Sequence, residues 1–244
     1  MEVLKSKGKG MKIPIILGVD SNNNVIVEDL LKLESILIGG QTGSGKSVFI
    51  HSIICSLLLR FSPSDCKLVL IDPKKVELTV YNDLSYFYFP VIVDPNDALS
   101  VLGSLVRETN RRLEQKVVNP YLIVVIDTFV DLFAINPEIF QERICYIVSR
   151  SKETNIFVIM SDSRVGPEIY TDKILSTFLT KIAFATADKA GSICLLGIPD
   201  AINLSGRGDM LCLLSGEIKP LHLQGINILD STIKEVINRC TKKN

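Results

Sequence analysis

The segment Gly40–Ser47 has the residue types and the spacing of a phosphate-binding loop. It reads GQTGSGKS, which fits the pattern G-x-x-x-x-G-K-[ST] at every fixed position and carries one further glycine. Glycines let the backbone curl so that successive N–H groups point at phosphate oxygens with no Cβ in the way. The residues that we expect to hold ATP are Gly40, Gln41, Thr42, Gly43, Ser44, Gly45, Lys46, Ser47 and Val48.

Three side chains are expected to act on the phosphates and on Mg²⁺. Lys46 would reach the β- and γ-phosphates, and the Ser47 hydroxyl would ligate the metal. P-loop enzymes hold the water shell of the metal with an acid at the end of a neighbouring strand, and the apolar run Leu122–Ile126 leads directly into Asp127. We therefore predict a Mg²⁺ site made by Ser47 and Asp127. A glycine-rich turn without a ligand is the alternative, but strand, motif and helix follow in the required order.

The position after Asp127 lacks a carboxylate that could activate water. Thr128 stands there, and its hydroxyl cannot act as a base at neutral pH. Losing a general base typically slows a reaction about 10²–10⁴-fold. Asp162 follows the next apolar run at the same edge of the expected sheet and is the best replacement, with Asp131 second. Both acids could instead cap a loop or a helix. The predicted catalytic set is Lys46, Asp127 and Asp162.

Continuous apolar runs separated by helix-like segments predict an α/β fold, with a mostly parallel sheet covered by helices on both faces. The expected strands are Ser35–Gly39, Lys67–Asp72, Tyr121–Asp127, Ile156–Ser161, Lys181–Ala185 and Asp209–Leu214. The expected helices are Lys46–Arg60, Ala98–Gln115, Pro137–Glu153, Ser192–Leu196 and Ser231–Lys242.

Composition indicates one domain. The chain has 244 residues, of which 47% are hydrophobic, and this is enough for a single core. We expect a domain over 13–244 behind a flexible basic tail over 1–12, whose lysines are solvated or touch nucleic acid. The formal net charge of zero gives no global attraction for nucleic acid, so any DNA contact must be local.

Other classes of protein are disfavoured by what the sequence lacks. No apolar run approaches the roughly 18 residues of a membrane span, and the amino terminus has no apolar secretion segment. We expect a soluble, cytoplasmic chain. The six cysteines are widely spaced and mostly lie in apolar stretches, which predicts reduced core thiols and not a metal site or a disulfide framework.

Three further segments, taken with the glycine loop, carry a resemblance to a known family. They are IDPKKVEL (Ile71–Leu78), VVIDTFVDL (Val124–Leu132) and GRGDML (Gly206–Leu211). Together they resemble the motor domain of FtsK/SpoIIIE DNA translocases over about Ile13 to Asp230. The resemblance implies a P-loop NTPase of the RecA/FtsK-like type, a homo-oligomeric and hexameric ring, and ATP-driven movement of double-stranded DNA through its centre.

The sequence departs from the family pattern at several positions. Thr128 replaces the usual glutamate, and Ser163-Arg164-Val165 stands where the family has Gln-Arg-Pro. Arginines expected between the later strands align with Ala185 and Ile193. A trans-acting arginine contributes about 10³–10⁵ in rate where it has been tested. Arg164 and Arg207 are the remaining candidates, with solvated loop arginines as the alternative.

Three functions remain open at this point. The first is an ATP-dependent motor for double-stranded DNA. The second is a hydrolysis-deficient ring subunit that uses ATP as a structural switch, as in secretion or conjugation machines. The third is a motor for protein or conjugative substrates. If Asp162 replaces the missing glutamate, an Asp162→Ala change should abolish steady-state phosphate release.

Overall fold

The computed structural model describes residues 2–241, which form nine strands in one sheet and ten α-helices. The strands are β1 (Pro14–Val19), β2 (Val25–Asp29), β3 (Ile36–Gly39), β4 (Cys66–Ile71), β5 (Tyr121–Asp127), β6 (Ile156–Asp162), β7 (Thr180–Phe184), β8 (Asp209–Leu213) and β9 (Leu221–Gln224). The helices are α1 (Glu2–Lys7), α2 (Leu30–Leu33), α3 (Lys46–Arg60), α4 (Pro95–Gln115), α5 (Val130–Ile135), α6 (Pro137–Val148), α7 (Ser151–Thr154), α8 (Asp172–Thr177), α9 (Lys189–Leu196) and α10 (Asp230–Thr241).

The centre of the sheet is parallel, as the apolar runs predict. Its order is β2-β1-β9-β8-β7-β3-β6-β5-β4, and the neighbouring pairs from β7 to β4 all run in the same direction. Every residue of β6 is buried, because helices cover both faces of a parallel sheet. The six predicted strands all form, with each end within one residue of its predicted position.

The other end of the sheet is antiparallel and was predicted only in part. Strands β8, β9, β1 and β2 pair antiparallel, and of these only β8 was predicted. In β9, Leu223 is the one buried residue of four, so a scan for continuous apolar runs cannot detect it. Strands β1 and β2 pair with a register shift between Ile16 and Gly18. The sheet thus has a parallel core, as predicted, and an antiparallel extension.

Helices cover both faces of the sheet, and each face has its own core. On one face α3 packs between β1 and α10, which explains why α3 is apolar around most of its circumference. Phe49 and Ile53 belong to that core. On the other face α4, α6 and α9 contribute Leu102, Phe140 and Leu195. This arrangement fixes the start of α3 at the carboxyl edge of the parallel strands.

Capping side chains account for the early starts of two helices. Helix α4 begins before Ala98, since Asp94 accepts N–H bonds from the first turn and Pro95 occupies the first helical position. Asp188 caps α9 in the same way and moves its start to Lys189. The predicted helix Pro137–Glu153 is divided into α6 and α7, and Lys242 of the last predicted helix lies outside the described residues.

Part of the amino-terminal segment that is expected to be a flexible tail forms a short helix. Residues 2–7 form α1, and Leu4 is buried. Gly8 donates its N–H to the carbonyl of Leu4, and Lys12 donates its N–H to the Asp29 carboxylate. The burial of Leu4 and a 2.8 Å hydrogen bond from Lys7 Nζ to the carbonyl of Val25 hold the segment against β1 and β2.

Candidate nucleotide site

The glycine loop joins the end of β3 to the start of α3, as the motif requires. Gly43 and Gly45 have φ angles of 77° and 116°, a region that residues with a Cβ rarely adopt. Around Gly45 there is also no space, because an added Cβ would lie 2.6 Å from the backbone nitrogen of Gly208. The glycines therefore shape the loop, and its N–H groups stand at the amino terminus of a buried helix.

Lys46 lies inside this loop. Its Nζ donates hydrogen bonds to the carbonyl oxygens of Gly40 at 2.6 Å and Gln41 at 3.0 Å, and the residue is 8% exposed. Burial lowers the pKa of Lys46, and the negative charge of Asp127 opposes that shift. The ammonium group is thus held where a phosphate chain on the loop would pass.

The loop also contains a buried hydroxyl with spare hydrogen-bonding capacity. Ser44 is 2% exposed, and its Oγ has no partner among the residues that the structure describes. Buried polar atoms are almost always hydrogen-bonded. A phosphate oxygen would accept a hydrogen bond from this hydroxyl, so the glycine loop fits the phosphate group that the motif predicts.

Asp127 lies at the end of β5, on the same edge as the loop. It is 8% exposed, and its carboxylate accepts a hydrogen bond from the Ser161 hydroxyl. Burial raises the pKa of Asp127, and the neighbouring charge of Asp72 raises it further. Lys46, Ser47 and Asp127 line one cavity of about 400 Å³. A hydroxyl and a carboxylate are oxygen donors of the kind that Mg²⁺ prefers.

Glu77 also lines this cavity, and the sequence analysis did not assign it to the site. Its carboxylate lies 3.5 Å from His51 Nε2, and His51 Nδ1 is 2.8 Å from the hydroxyl of the buried Tyr81. Hydrogen bonds from His51 and from Ser47 lower the pKa of Glu77 against the effect of burial. Glu77 belongs to the IDPKKVEL segment, which was the signal available in the sequence.

Asp162 is placed at the expected edge but faces the backbone. It is 1% exposed, and its two oxygens accept N–H bonds from Val130 at 2.8 Å and Arg164 at 2.9 Å. Burial raises its pKa, against these hydrogen bonds. Among residues 2–241, those lining the cavity include Thr128 but not Asp162. Thr128 has a φ of 58°, a strained value for a β-branched residue.

The remaining predicted candidates lie around this centre. Asp131 forms an ion pair with Arg164 at 3.8 Å, and both side chains are solvent-accessible. Arg207 lies in the turn before β8 and lines a second cavity of about 370 Å³, next to Gly43, Val48 and Asn227 of the same chain. Arg207 therefore flanks the glycine loop of its own subunit, whereas Arg164 stands on the surface.

These features define a P-loop ATPase domain. They are a glycine loop between a buried strand and a helix, a buried lysine inside the loop, and an acid at the end of a neighbouring parallel strand. Solved structures show the same fold. The conjugation coupling protein TcpA of pCW3, solved with ATPγS, matches 96% of this chain and 71% of its own with a TM-score of 0.82 at 22% identity. The cytoplasmic domain of the type VII secretion ATPase EccC of Thermomonospora curvata matches 94% and 31% with a TM-score of 0.78 at 17% identity.

Sequence comparison then gives the family. The FtsK/SpoIIIE family profile matches residues 3–117. DNA translocase FtsK of Clostridium tetani is 32% identical over 99% of this chain, and DNA translocase SftA of Bacillus subtilis is 36% identical over 91%. The chain belongs to the FtsK/SpoIIIE family. It spans 36% and 26% of the lengths of these two relatives. Within residues 2–241, no helix combines the length and apolar character needed to cross a membrane.

Proposed function

We propose that this domain binds ATP with Mg²⁺ and hydrolyses it to move double-stranded DNA through a ring of identical subunits. The observation that carries the proposal is the shared cavity of Lys46, Ser47 and Asp127 at the mouth of the parallel sheet. The residues present are those that phosphoryl transfer needs for positioning and charge neutralisation.

Each residue of the loop has a distinct part in this proposal. The amides of Gly40–Val48 and the ammonium group of Lys46 hold the phosphates, and Ser47 with Asp127 holds Mg²⁺. The metal, when bound, neutralises charge that develops on the phosphate oxygens. The second cavity shares Gly43, Gly45 and Val48 with the first. The nucleoside part of ATP would therefore lie in this second cavity, beside Arg207 and Asn227.

DNA as the substrate is supported by the relatives, which are named DNA translocases. A ring, hexameric as the family resemblance implies, would let neighbouring subunits close around each nucleotide. With a formal net charge of zero, the DNA contact would come from local groups that face the ring centre. Such contacts with phosphates make binding fall steeply with added salt.

A second candidate function is favoured by one observation. Thr128 occupies the cavity where the family pattern has a glutamate, and the oxygens of Asp162 are bonded to backbone N–H groups. A subunit without any water-activating carboxylate would hold ATP as a structural switch and turn it over slowly.

The experiment that separates these functions is ATP turnover with and without long duplex DNA, with Lys46→Ala as the inactive control. A DNA motor shows turnover that DNA stimulates and that salt suppresses. Tight ATP binding with turnover no faster than that of Lys46→Ala supports the switch. Absence of nucleotide binding, measured by calorimetry at saturating ATP and Mg²⁺, rejects both.

A further inference from the structure

The cavity contains more than one carboxylate that could reach a water beside the phosphates. Within the described part of the chain, Glu77, Asp127 and Asp230 line it. Asp127 is the acid assigned to the metal, and Asp230 is the first residue of α10. Thr128 has no carboxylate, and Asp162 is bonded to the backbone. Glu77 is the acid of this cavity whose carboxylate is held by a neighbouring side chain, at 3.5 Å from His51 Nε2.

Hydrogen bonds to the Asp72 carboxylate fix the backbone position of Glu77. Asp72, which follows β4 and is 1% exposed, accepts N–H bonds from Glu77 and from Leu78, each at 2.9 Å. Lys75 adopts a φ of 60° between them, so the chain turns back towards the glycine loop. Because both bonds end on one buried carboxylate, the position of Glu77 is set before any ligand binds.

The side chain of Glu77 is oriented as well. His51 Nε2 lies 3.5 Å from one carboxylate oxygen, and the His51 ring is fixed by the 2.8 Å bond between its Nδ1 and the Tyr81 hydroxyl. Tyr81 is fully buried. The side chain of Glu77 is still 35% exposed, so it keeps room to accept a hydrogen bond from a water in the cavity.

We infer, on the basis of the proposed ATPase function, that Glu77 is the catalytic carboxylate that orients the attacking water and receives its proton. In this step the water oxygen forms a bond to the γ-phosphorus. The bond between that phosphorus and the β–γ bridging oxygen breaks, and its electron pair leaves with ADP. The proton released by the water passes to the Glu77 carboxylate. A carboxylate from the turn after the neighbouring strand β4 thus takes the place of the missing glutamate at 128.

The test compares Glu77→Gln with Glu235→Gln in the full chain. Glutamine keeps the size of glutamate but is a much weaker base, and Glu235→Gln makes the same chemical change at an exposed acid of α10 that pairs with Arg239 and does not line the cavity. Single-turnover hydrolysis should fall about 10²-fold or more in Glu77→Gln and stay within about threefold in Glu235→Gln. The Kd of a fluorescent ATP analogue and its Mg²⁺ dependence should change less than about threefold in both.

A second variant tests whether the rate falls because a carboxylate is lost. Adding Thr128→Glu to Glu77→Gln returns a carboxylate to the family position and should recover at least about tenfold of the lost rate, part of what a general base contributes. A Glu77→Gln rate within threefold of the unchanged chain overturns the inference. So does a lower rate accompanied by a tenfold shift in half-saturating Mg²⁺, since Glu77 would then act on the metal through Ser47.

The same measurements separate this inference from the proposed function. If the unchanged chain hydrolyses ATP faster than Lys46→Ala does and Glu77→Gln keeps that rate, the role of Glu77 alone is rejected. If the unchanged chain binds ATP but hydrolyses it no faster than Lys46→Ala does, the hydrolytic function fails together with the role of Glu77, and if it binds no nucleotide, ATP binding fails as well.

Discussion

Gly208 donates its backbone N–H to the carbonyl oxygen of Ser44 over 2.8 Å, so the turn before β8 is bonded directly to the glycine loop. The carbonyl of Gly208 in turn accepts the N–H of Gly225 at 2.7 Å. The antiparallel extension of the sheet is therefore hydrogen-bonded to the loop. The GRGDML segment and the glycine loop, which are distant in the sequence, are thus in direct contact in the fold.

The first prediction concerns the close approach at this contact. We expect Gly45→Ala to cost more stability than Gly43→Ala, although both glycines have a positive φ. An alanine at either position carries about 1–2 kcal/mol of backbone strain. Only at Gly45 would the added Cβ also press on the nitrogen of Gly208, at 2.6 Å, whereas Gly43 has open space around it. Urea unfolding measures the difference, and equal losses in the two variants would contradict it.

The second prediction concerns Lys46. We expect Lys46→Met to lose the stabilisation that ATP gives and to keep the stability of the ligand-free protein, since burial of the ammonium group already disfavours its charge, as the lowered pKa shows. A ligand at 100 times its Kd stabilises a protein by about 2.7 kcal/mol, and thermal unfolding with and without ATP measures this gain. Lys32→Met, on an exposed side chain, is the control that should keep it. A full ATP-dependent shift in Lys46→Met would refute the assigned role.

The parallel core could be predicted from the sequence because its strands are continuous apolar runs. The predicted and observed bounds are the same for strand Tyr121–Asp127 and for helix Lys46–Arg60. The helix start could be predicted because the glycine loop precedes it, and the loop in turn follows a buried strand. Strand β9 could not be predicted, because three of its four side chains are exposed and its stability comes from pairing with β8.

The parts of the candidate site that lie within one sequence segment could be predicted. Contacts between residues that are distant in the sequence could not. The loop and Asp127 were found from local patterns. The sequence placed Asp162 at the correct edge but could not show that Val130 and Arg164 donate N–H groups to it. Glu77 is 30 residues from Ser47 in the chain, and only the turn held by Asp72 brings the two together.

The third prediction revises the role of Asp162. We expect Asp162→Asn to lower the free energy of unfolding by about 1–3 kcal/mol, because an amide has one acceptor oxygen where two backbone N–H groups now bond to a carboxylate. Hydrolysis per folded molecule should fall less than about tenfold, below the range expected for losing a general base. Urea unfolding and single-turnover assays give the two numbers. Unchanged stability with abolished hydrolysis would restore Asp162 as the base.

The fourth prediction concerns a buried ion pair on α4, far from the glycine loop. Arg112 is 1% exposed and donates to Glu108 at 2.8 Å and to the carbonyl of Thr154 at 2.8 Å. Glu108→Gln would leave this guanidinium without its counter-charge, which typically costs about 3–5 kcal/mol. Glu235→Gln removes an exposed partner of Arg239 and should cost less than about 1 kcal/mol. Urea unfolding at pH 7 compares the two variants.

The pH dependence of the Glu108 effect follows from its pKa. Hydrogen bonds from Arg111 and then Arg112 lower the pKa of Glu108 in the folded protein, so the folded state binds the proton less readily than the unfolded state does. The stabilisation is therefore complete above the unfolded pKa of about 4.3 and is lost as the pH falls through the folded pKa. The gap in unfolding free energy between the unchanged chain and Glu108→Gln should be constant from pH 6 to 7 and narrow below about pH 4. A gap of the same size at every pH would show that the charge on Glu108 does not stabilise α4.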